Sequence, residues 1–330
     1  MSITLSLRTD AQHRLTVTAD TNHPGNGELL AGPTPLADLP ALPALQAAPY
    51  DTGVTLTCAL GGDALLTRLD ADPERLLLLD VDDAAAKIPW EYAALPNTPQ
   101  LLGCRYALLR LVDRPVSESV GRRSLTEALS ATLHVLILGA DPLVDKKGRP
   151  REGYRLQLRT ERRAIRRVLE AGGVDLQARH IPPTKEALHR ALLHGPALLH
   201  LSAHGNVIDT KNGPLAVLLL EDDDGRAARL RGPDLVAMAD PGVLRLVLLS
   251  ACHTAQRDTE ADLARALVQN GVPAAIGMQG PFPDPQSDEL AAALYHNLLA
   301  GQTLAQAVRH TRLSLGDDPA TAGLIVAYAA

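Results

Sequence analysis

The chain has 330 residues, 46% hydrophobic and 21% charged, which is enough to bury one large core or two smaller ones. Its net charge of −6 and aromatic content of 2% argue against nucleic-acid or anionic-membrane binding, because the composition supplies neither overall basic charge nor many stacking side chains. No apolar run approaches the roughly 20 residues of a membrane span, and the start of the chain lacks a signal-peptide core. We therefore expect a cytoplasmic protein without membrane insertion.

The first third of the chain is predicted to be rich in β-strands. Alternating polar and apolar residues in "ITLSL" and "RLTVTA" indicate two short strands within residues 1–20. The proline-rich stretch 22–50 is predicted to be a surface loop. Three further apolar runs are predicted strands: "GVTLTCAL" (53–60), "RLLLLDV" (75–81) and "YALLRLV" (106–112). The polar stretch 113–124 is the predicted boundary between a β-rich N-terminal portion (1–120) and a second domain (121–330).

In the second domain, predicted strands alternate with predicted helices. The continuous apolar run "TLHVLILGA" (132–140) is typical of a strand buried on both faces of a parallel sheet. The later strands are predicted in "VDLQARHI", "PALLHLSAH", "VLRLVLLSAC", "VPAAIGM" and "GLIVAYA", and the helices near 155–171, 184–194, 259–270, 285–300 and 303–315. The segment "PLAVLLLEDDDGRAARLRG" is predicted to form a β-hairpin. This alternation predicts an α/β fold whose mostly parallel central sheet is covered by helices on both faces.

The first of these helices carries a row of basic residues, Arg155, Arg159, Arg162, Arg163 and Arg166. The row is either a nucleic-acid-binding stripe or the solvated face of an amphipathic helix. Glu161 and Glu170 dilute the positive charge, so the solvated face is the favoured interpretation.

Two segments place reactive side chains at the carboxyl ends of neighbouring predicted strands. "LHLSAHGN" (199–206) contains His204, and "LVLLSACHT" (246–254) contains Cys252. Ligands bind at the carboxyl ends of strands in open parallel sheets, and adjacent strands lie about 4.8 Å apart. An imidazole beside a thiol can take its proton or stabilise the thiolate, as cysteine catalysis requires.

Gly205 follows the histidine directly and allows the backbone to approach a substrate closely. Its N–H and that of Cys252 are natural donors to a developing oxyanion. A lone buried cysteine, or a lone histidine at a strand end, is usually structural. Both together in one α/β block favour a catalytic dyad of His204 and Cys252.

Other interpretations of these motifs are less favoured. His200 and His204 share one face of a strand, but their Cα atoms would lie about 13 Å apart, too far to bind one zinc ion. His253 is a rival base, although the residue next to the cysteine usually points the other way along a strand. The acidic tip Glu221–Asp224 is either a calcium ligand set or a solvated turn, and the turn is favoured. The 3 cysteines are too few and too scattered for a disulfide framework or a CxxC zinc site.

The two motifs "LLHLSAHGN" and "VLLSACHTA", in this order, resemble the signature motifs of CHAT domains, the caspase-like cysteine peptidases related to separase and caspases. Their histidine and cysteine lie 48 positions apart, close to the separation of about 50 in caspases. The resemblance extends to "IPWEYAALP" before the second domain, to "LARALVQNGVPAAIGMQGPFPD" after the cysteine and to the terminal helices. It covers roughly residues 75–330.

The resemblance implies a caspase-like three-layer α/β sandwich and a cysteine endopeptidase. Cys252 would be the nucleophile, His204 its imidazole partner, and the amides of Gly205 and Cys252 the oxyanion hole. It implies no cofactor and no metal in the site, and limited proteolysis of a protein target in the cytoplasm. We expect a bacterial effector of defence or regulated cell death that cleaves a protein such as a gasdermin-like pore former, under an upstream sensor or activator. The alternatives are a catalytically silent caspase-like protein-binding module and a hydrolase or transferase of small molecules.

Three further residues are candidate substrate contacts. Asp141 lies where the metacaspase branch places a specificity aspartate, which implies a preference for Lys or Arg at P1, although Asp141 and Pro142 are equally typical of a simple turn. Ser250 stands where that branch has an acidic residue, two positions before the cysteine. Asp284, before Pro285, is first of all predicted to be a helix N-cap.

Overall fold

The computed structural model describes residues 2–20, 27–70, 76–112, 133–151, 155–172, 176–211, 213–240, 242–255 and 262–330. Its strands are β1 (Ser2–Thr9), β2 (Arg14–Asp20), β3 (Glu28–Pro35), β4 (Leu76–Val81), β5 (Ala107–Leu111), β6 (Leu133–Ala140), β7 (Leu176–His180), β8 (Leu198–Thr210), β9 (Gly213–Glu221), β10 (Ala227–Arg231), β11 (Leu246–Ser250), β12 (Ala274–Met278) and β13 (Ile325–Ala329). Its α-helices are α1 (Leu42–Ala47), α2 (Pro49–Ala59), α3 (Gly62–Asp70), α4 (Leu102–Arg105), α5 (Leu158–Ala171), α6 (Lys185–Leu192), α7 (Gly232–Met238), α8 (Leu263–Gln269), α9 (Ser287–Leu299), α10 (Leu304–Ser314) and α11 (Pro319–Ala322).

The chain forms two compact units. The first unit comprises Met1–Asp113 and Ala305–Ala327, and the second comprises Arg114–Leu304 and Tyr328–Ala330. The predicted boundary stretch 113–124 lies outside the described residues. The division into domains 1–120 and 121–330 therefore stays a prediction.

The first unit contains a mixed sheet with strand order β13-β5-β4-β1-β2-β3. Strands β1, β4 and β5 are parallel, whereas β2 and β3 add to β1 in antiparallel order. The strands predicted within residues 1–20, 75–81 and 106–112 are thereby confirmed.

The predicted strand at 53–60 is wrong, because this segment belongs to helix α2. Its threonines and valine have high strand propensity, but tertiary packing outweighs that preference. The hydroxyl of Thr57 donates a buried hydrogen bond of 2.7 Å to the carbonyl of Ala94, and a Cβ on Gly53 would lie only 2.1 Å from the carbonyl oxygen of Tyr92. The buried positions recur at helical spacing: Gly53, Leu56, Thr57 and Ala59.

The prediction of a loop over 22–50 is also wrong for most of that stretch. The described part contains strand β3 and helix α1, while residues 21–26 lie outside the described residues. Prolines normally indicate a loop, but β3 is the edge strand of its sheet. A proline, which has no backbone N–H, is tolerated in an edge strand because on the open side there is no neighbouring strand to which that N–H would donate.

The second unit contains five parallel strands in the order β7-β6-β8-β11-β12. Strand β8 continues beyond this sheet and pairs with β9, which pairs with β10; both pairings are antiparallel. The predicted hairpin and the mostly parallel central sheet are confirmed. Strand β8 ends at Thr210, six positions beyond its predicted end at His204, because β9 continues its hydrogen bonding.

Helices cover both faces of this parallel sheet. Helices α5 and α9 lie on the face that carries His200, since side chains of both contact this histidine. Helices α6 and α8 lie on the opposite face. Ala191 of α6 lines a cavity together with Leu136 of β6, and a Cβ added to Gly277 of β12 would contact Ala264 of α8. The predicted α/β sandwich of three layers is therefore confirmed. Among the helices of the described ranges, none is both long and apolar enough to cross a bilayer.

Candidate catalytic site

His204 lies at the position where strand β8 changes its partners. Up to Ala203 the strand pairs with β6 in the parallel sheet, and from His204 it pairs with β9. On the neighbouring strand β11, Ser250 is in register with Ser202. His204 and Cys252 each lie two residues further on, His204 still within β8 and Cys252 in the turn after β11, so both lie at the carboxyl ends of adjacent strands.

Gly205 brings these two strand ends into direct backbone contact. A Cβ added at Gly205 would lie 1.9 Å from the carbonyl oxygen of Cys252 and 3.1 Å from its amide nitrogen. Only a residue without a Cβ fits at this distance from another backbone. The glycine of the "HG" motif is thus required for the approach of the two motifs.

We expect Gly205→Ala to lower both stability and activity. The added methyl group meets backbone rather than a flexible side chain, so the strand ends must move apart, at a cost of about 1–3 kcal/mol in the free energy of unfolding. A displacement of this kind is expected to reduce kcat by about 10²-fold. Denaturant titration and peptide cleavage rates measure the two effects.

Gly232→Ala is the matched control, because an added Cβ there meets no atom closer than 3.5 Å. An unchanged cleavage rate in Gly205→Ala would contradict the importance of this contact.

The thiol of Cys252 is only partly buried, and it follows the end of β11 in a tight turn. The next residue, His253, has a φ of 60°, a left-handed conformation that turns the chain sharply after the cysteine. The backbone N–H of Phe282 donates to Sγ of Cys252 at 3.3 Å. Although both side chains are described, no hydrogen bond joins the His204 imidazole to this thiol.

Asp141 holds the imidazole of His204. Asp141 directly follows β6, in which Ala140 is in register with Ala203, so it lies opposite His204. The Oδ1 atom of Asp141 is 3.0 Å from Nε2 of His204. Since a carboxylate only accepts hydrogen bonds, the proton of the neutral imidazole sits on Nε2, and Nδ1 keeps its lone pair. The pair therefore orients a base.

Two further donors hold Asp141 in place. Arg155 donates from Nη1 to Oδ1, and the backbone N–H of Leu156 donates to Oδ2, each at 3.3 Å. The sequence predicted either a specificity residue or a turn here, and neither interpretation included a contact with His204. The one available signal was that Asp141 ends a strand next to β8.

A buried polar network lies under the strand ends, on the same face of the sheet. Glu161 of α5 accepts hydrogen bonds from the hydroxyl of Ser250 at 2.8 Å and from Nε2 of His200 at 3.2 Å. The His200 ring also contacts the hydroxyls of Ser202 at 3.0 Å and Tyr295 at 3.2 Å. His200 is therefore structural, and helices α5 and α9 are both connected to the strands that lead to His204 and Cys252.

The pKa of Glu161 is lowered. Burial by itself would raise the pKa of Glu161, but the hydrogen bond and charge of His200 and the hydroxyls of Ser202 and Ser250 outweigh it. The carboxylate is thus ionised in the folded protein and contributes stability in that form. This contribution is complete above the ordinary glutamate pKa of about 4.3 and is lost as the pH falls through the lowered pKa of the folded state.

We expect Glu161→Gln to destabilise the protein at neutral pH by roughly 3 kcal/mol, the usual cost of removing one partner of a buried pair. The difference between the wild type and this variant should begin to shrink as the pH falls below about 4.3, the ordinary glutamate pKa, and should disappear once the pH has passed the lowered pKa of the folded state. Urea unfolding between pH 3 and pH 7 measures both.

Glu170→Gln, on the exposed side of the same helix, is the control and should change little, since it removes only a surface pair with Arg166. Equal losses of stability at pH 3 and pH 7 in Glu161→Gln would contradict the assignment.

Two candidate substrate contacts have partners within the protein. The hydroxyl of Ser250 donates to Glu161. The carboxylate of Asp284 accepts the backbone N–H of Gln157 at 2.8 Å, at the start of α5. The prediction that Asp284 is a helix N-cap is wrong: Asp284 is the first residue of a short 3₁₀ helix whose N-cap is Pro283, and the N-cap of α9 is Gln286.

The acidic hairpin tip lies near Asp141. Loss of hydration and the negative charges of Asp141 and Asp222 raise the pKa of Glu221. Asp222 closes the tip by accepting the backbone N–H groups of Asp224 and Arg226 at 3.0 and 2.8 Å. Within the described ranges, no group of three or more His, Cys, Asp or Glu side chains is arranged to bind a metal ion.

The chain is similar to one protein family and to several solved structures. A family model for the CHAT domain matches residues 51–324. The separase of Saccharomyces cerevisiae, in its complex with securin, is 14% identical with a TM-score of 0.45; the alignment covers 77% of this chain and 15% of the separase chain. The Arg-specific cysteine proteinase gingipain R (RgpB) is 13% identical with a TM-score of 0.48, and the alignment covers 90% of this chain and 69% of that one.

A structure of the pro- and mature domains of RgpB from Porphyromonas gingivalis is similar at 14% identity and a TM-score of 0.49, with 90% and 71% of the two chains covered. This chain thus spans only 15% of the separase chain. No curated protein sequence matches it significantly.

Proposed function

Because this chain belongs to the CHAT domain family, we propose that it is a cysteine endopeptidase in which Cys252 is the nucleophile and His204 the base. Membership of the family confirms the resemblance of the two motifs, and the match begins at residue 51, earlier than the predicted start near residue 75. The observation that carries the proposal is the oriented imidazole. Asp141 binds Nε2 of His204 at 3.0 Å, beside the strand end that carries the thiol.

The proposed reaction has two halves. In the first, Nδ1 of His204 takes the proton of the Cys252 thiol, and Sγ forms a bond to the scissile carbonyl carbon. The negative charge on the carbonyl oxygen is stabilised by the amides of Gly205 and Cys252. The C–N bond then breaks, and the imidazolium gives its proton to the leaving amine. A thioester between Cys252 and the acyl part of the substrate remains.

In the second half, a water molecule attacks the thioester while His204 accepts one of its protons. The C–S bond breaks, the acid product leaves, and the thiol is regenerated. No cofactor takes part in these steps. Asp141 stabilises the imidazolium that forms in each half and keeps the proton of the neutral ring on Nε2.

The charges beside the proposed dyad favour substrates with a basic residue at P1. Glu221 lies close to Asp141, whose backbone N–H donates to its carboxylate, and Glu221 is also repelled by its neighbour Asp222. An approaching Lys or Arg side chain relieves the repulsion between Glu221 and Asp222. We propose a protein target in the cytoplasm, cleaved at a limited number of sites. By analogy with the family, this proposal includes a gasdermin-like pore former as the substrate, bacterial defence as the biological role and an upstream activator of the peptidase.

The experiment is a digest of a positional peptide library by the full chain, with the products identified by mass spectrometry. We expect cleavage after Lys or Arg, and we expect no cleavage by protein treated beforehand with iodoacetamide. Cleavage that survives alkylation of the thiols would contradict a cysteine peptidase. A protein that binds peptides of the library and cleaves none would favour the alternative, a catalytically silent protein-binding module.

A further inference from the structure

Helix α5 presents a strongly basic surface on its outer side. Five arginines are exposed there: Arg159, Arg162, Arg163, Arg166 and Arg167. Arg166 pairs with Glu170 at 2.6 Å. Among the described residues, the other four guanidinium groups have no carboxylate partner. The net charge of the chain is −6, so this surface differs in sign from the molecule as a whole.

Next to this helix lies the edge of the parallel sheet. Of the strands in the described ranges, β7 pairs only with β6, so one side of its backbone makes no ladder hydrogen bonds. The residues Ala178, Arg179 and His180 of β7 are exposed. An exposed edge of this kind is a template for a further strand.

Basic side chains flank this edge on both faces of the sheet. His180 is in register with Ile137, on the face covered by α5. Loss of hydration lowers the pKa of His180, and the positive charges of Arg162, His200 and Arg166 lower it further, so both arginines lie near this end of β7. Arg179 lies on the other face and lines a cavity of about 260 Å³ with residues of β6 and α6.

We propose that the edge of β7 and the basic face of α5 together bind an extended acidic segment of a partner protein. The segment adds a strand to β7 through backbone hydrogen bonds, while its carboxylates pair with the arginines above and below the edge. Positive charge on both faces repels basic strands and offers neutral strands no ion pair, so it favours acidic ones.

Two observations favour a polypeptide over a nucleic acid. The free groups of β7 are backbone donors and acceptors in strand geometry, which match a second backbone. Single-stranded nucleic acids are bound with the help of stacked aromatic side chains, and aromatic residues are only 2% of this chain. Use of this surface to capture a substrate rests on the proposed peptidase function, whereas the binding itself does not.

The test measures binding of a fluorescent eight-residue peptide that alternates glutamate with valine, by anisotropy, to the full-length Cys252→Ala protein. This variant keeps the measurement independent of catalysis. We expect saturable binding that weakens with salt, and weaker binding of a peptide with lysine in place of glutamate. A peptide N-methylated on alternate residues, which cannot pair with β7, should also bind at least about tenfold more weakly, since the ladder hydrogen bonds are lost.

The double variant Arg162→Glu/Arg163→Glu should reduce the affinity by at least about tenfold, through like-charge repulsion. Arg190→Glu/Arg229→Glu changes the charge equally at two other exposed arginines and is the matched control, expected to bind within about twofold of the parent. All the changed residues are exposed, so circular dichroism should show an unchanged fold.

Three results would overturn the proposal. One is equal binding to the double variant and the control. Another is binding of the N-methylated peptide with the same affinity as the unmethylated peptide. The third is displacement of the peptide by single-stranded RNA at lower concentration than unlabelled peptide.

Discussion

Cys252→Ala is expected to lose all peptide cleavage while keeping its fold. Removing the nucleophile of a cysteine or serine peptidase takes away the covalent pathway, and losses on the order of 10⁶-fold in kcat are typical. The thiol is only partly buried and accepts a backbone hydrogen bond from Phe282. The free energy of unfolding should therefore change by no more than about 1 kcal/mol. Cleavage of the best library peptide and a denaturant titration measure the two quantities.

The other two cysteines supply the controls. Cys58 is exposed and Cys104 is buried, and burial raises the pKa of the Cys104 thiol. Cys58→Ala and Cys104→Ala should both keep full activity. A peptide with an electrophilic group at P1 should label the wild type and these two variants, but not Cys252→Ala. Measurable turnover by Cys252→Ala would exclude Cys252 as the nucleophile.

Asp141→Asn is expected to lower kcat by about 10²–10⁴-fold with little change in KM. The amide presents a donor as well as an acceptor to Nε2, so the imidazole can place its proton on Nδ1, where it no longer accepts the thiol proton. Loss of the correct tautomer costs about 10⁴-fold in the serine peptidase triad. The variant also lacks the negative charge that stabilises the imidazolium. Steady-state kinetics on one basic peptide separate kcat from KM.

This measurement distinguishes two roles of Asp141. If Asp141 acts as a specificity residue for P1, the asparagine variant will raise KM for Lys and Arg peptides and leave kcat nearly unchanged. Asp145→Asn is the matched control, because it removes a carboxylate only four positions away that binds Arg149 instead of His204. The hydrogen bond from Arg149 lowers the pKa of Asp145 to about 2, so this control also removes a negative charge. A kcat in Asp141→Asn equal to that of the control would contradict the orienting role.

Much of the second unit was predictable because its signals are local. A run of apolar residues at strand length, followed by a helix of period 3.6, indicates a buried parallel strand wherever it occurs. Repeated units of this kind specify the parallel sheet, and the carboxyl ends of its strands specify where a site belongs. The positions of His204, Gly205 and Cys252 at adjacent strand ends were inferred on this basis, and the "HG" and "SAC" motifs pointed to the family.

The first unit was less predictable because its local signals conflict. The β-branched residues of 53–60 favour a strand, yet the segment is helical in α2. The prolines near β3 favour a loop, yet an edge strand tolerates them. In both cases packing against distant residues decides the conformation, and a pattern of residue types does not encode those contacts.

The side-chain partners of the site were decided by tertiary structure alone. Asp141 and His204 are 63 positions apart, and Glu161 and His200 are 39 apart. A single sequence contains many acidic residues, and nothing in their spacing selects these two as the partners of the two histidines. The selection is made by strand register and by the packing of α5 on the sheet. By itself, the sequence determined the order of strands and helices in the second unit and the two motifs, because both depend there on neighbouring residues. Folding determined which carboxylates meet the histidines, since that depends on distances between residues far apart along the chain.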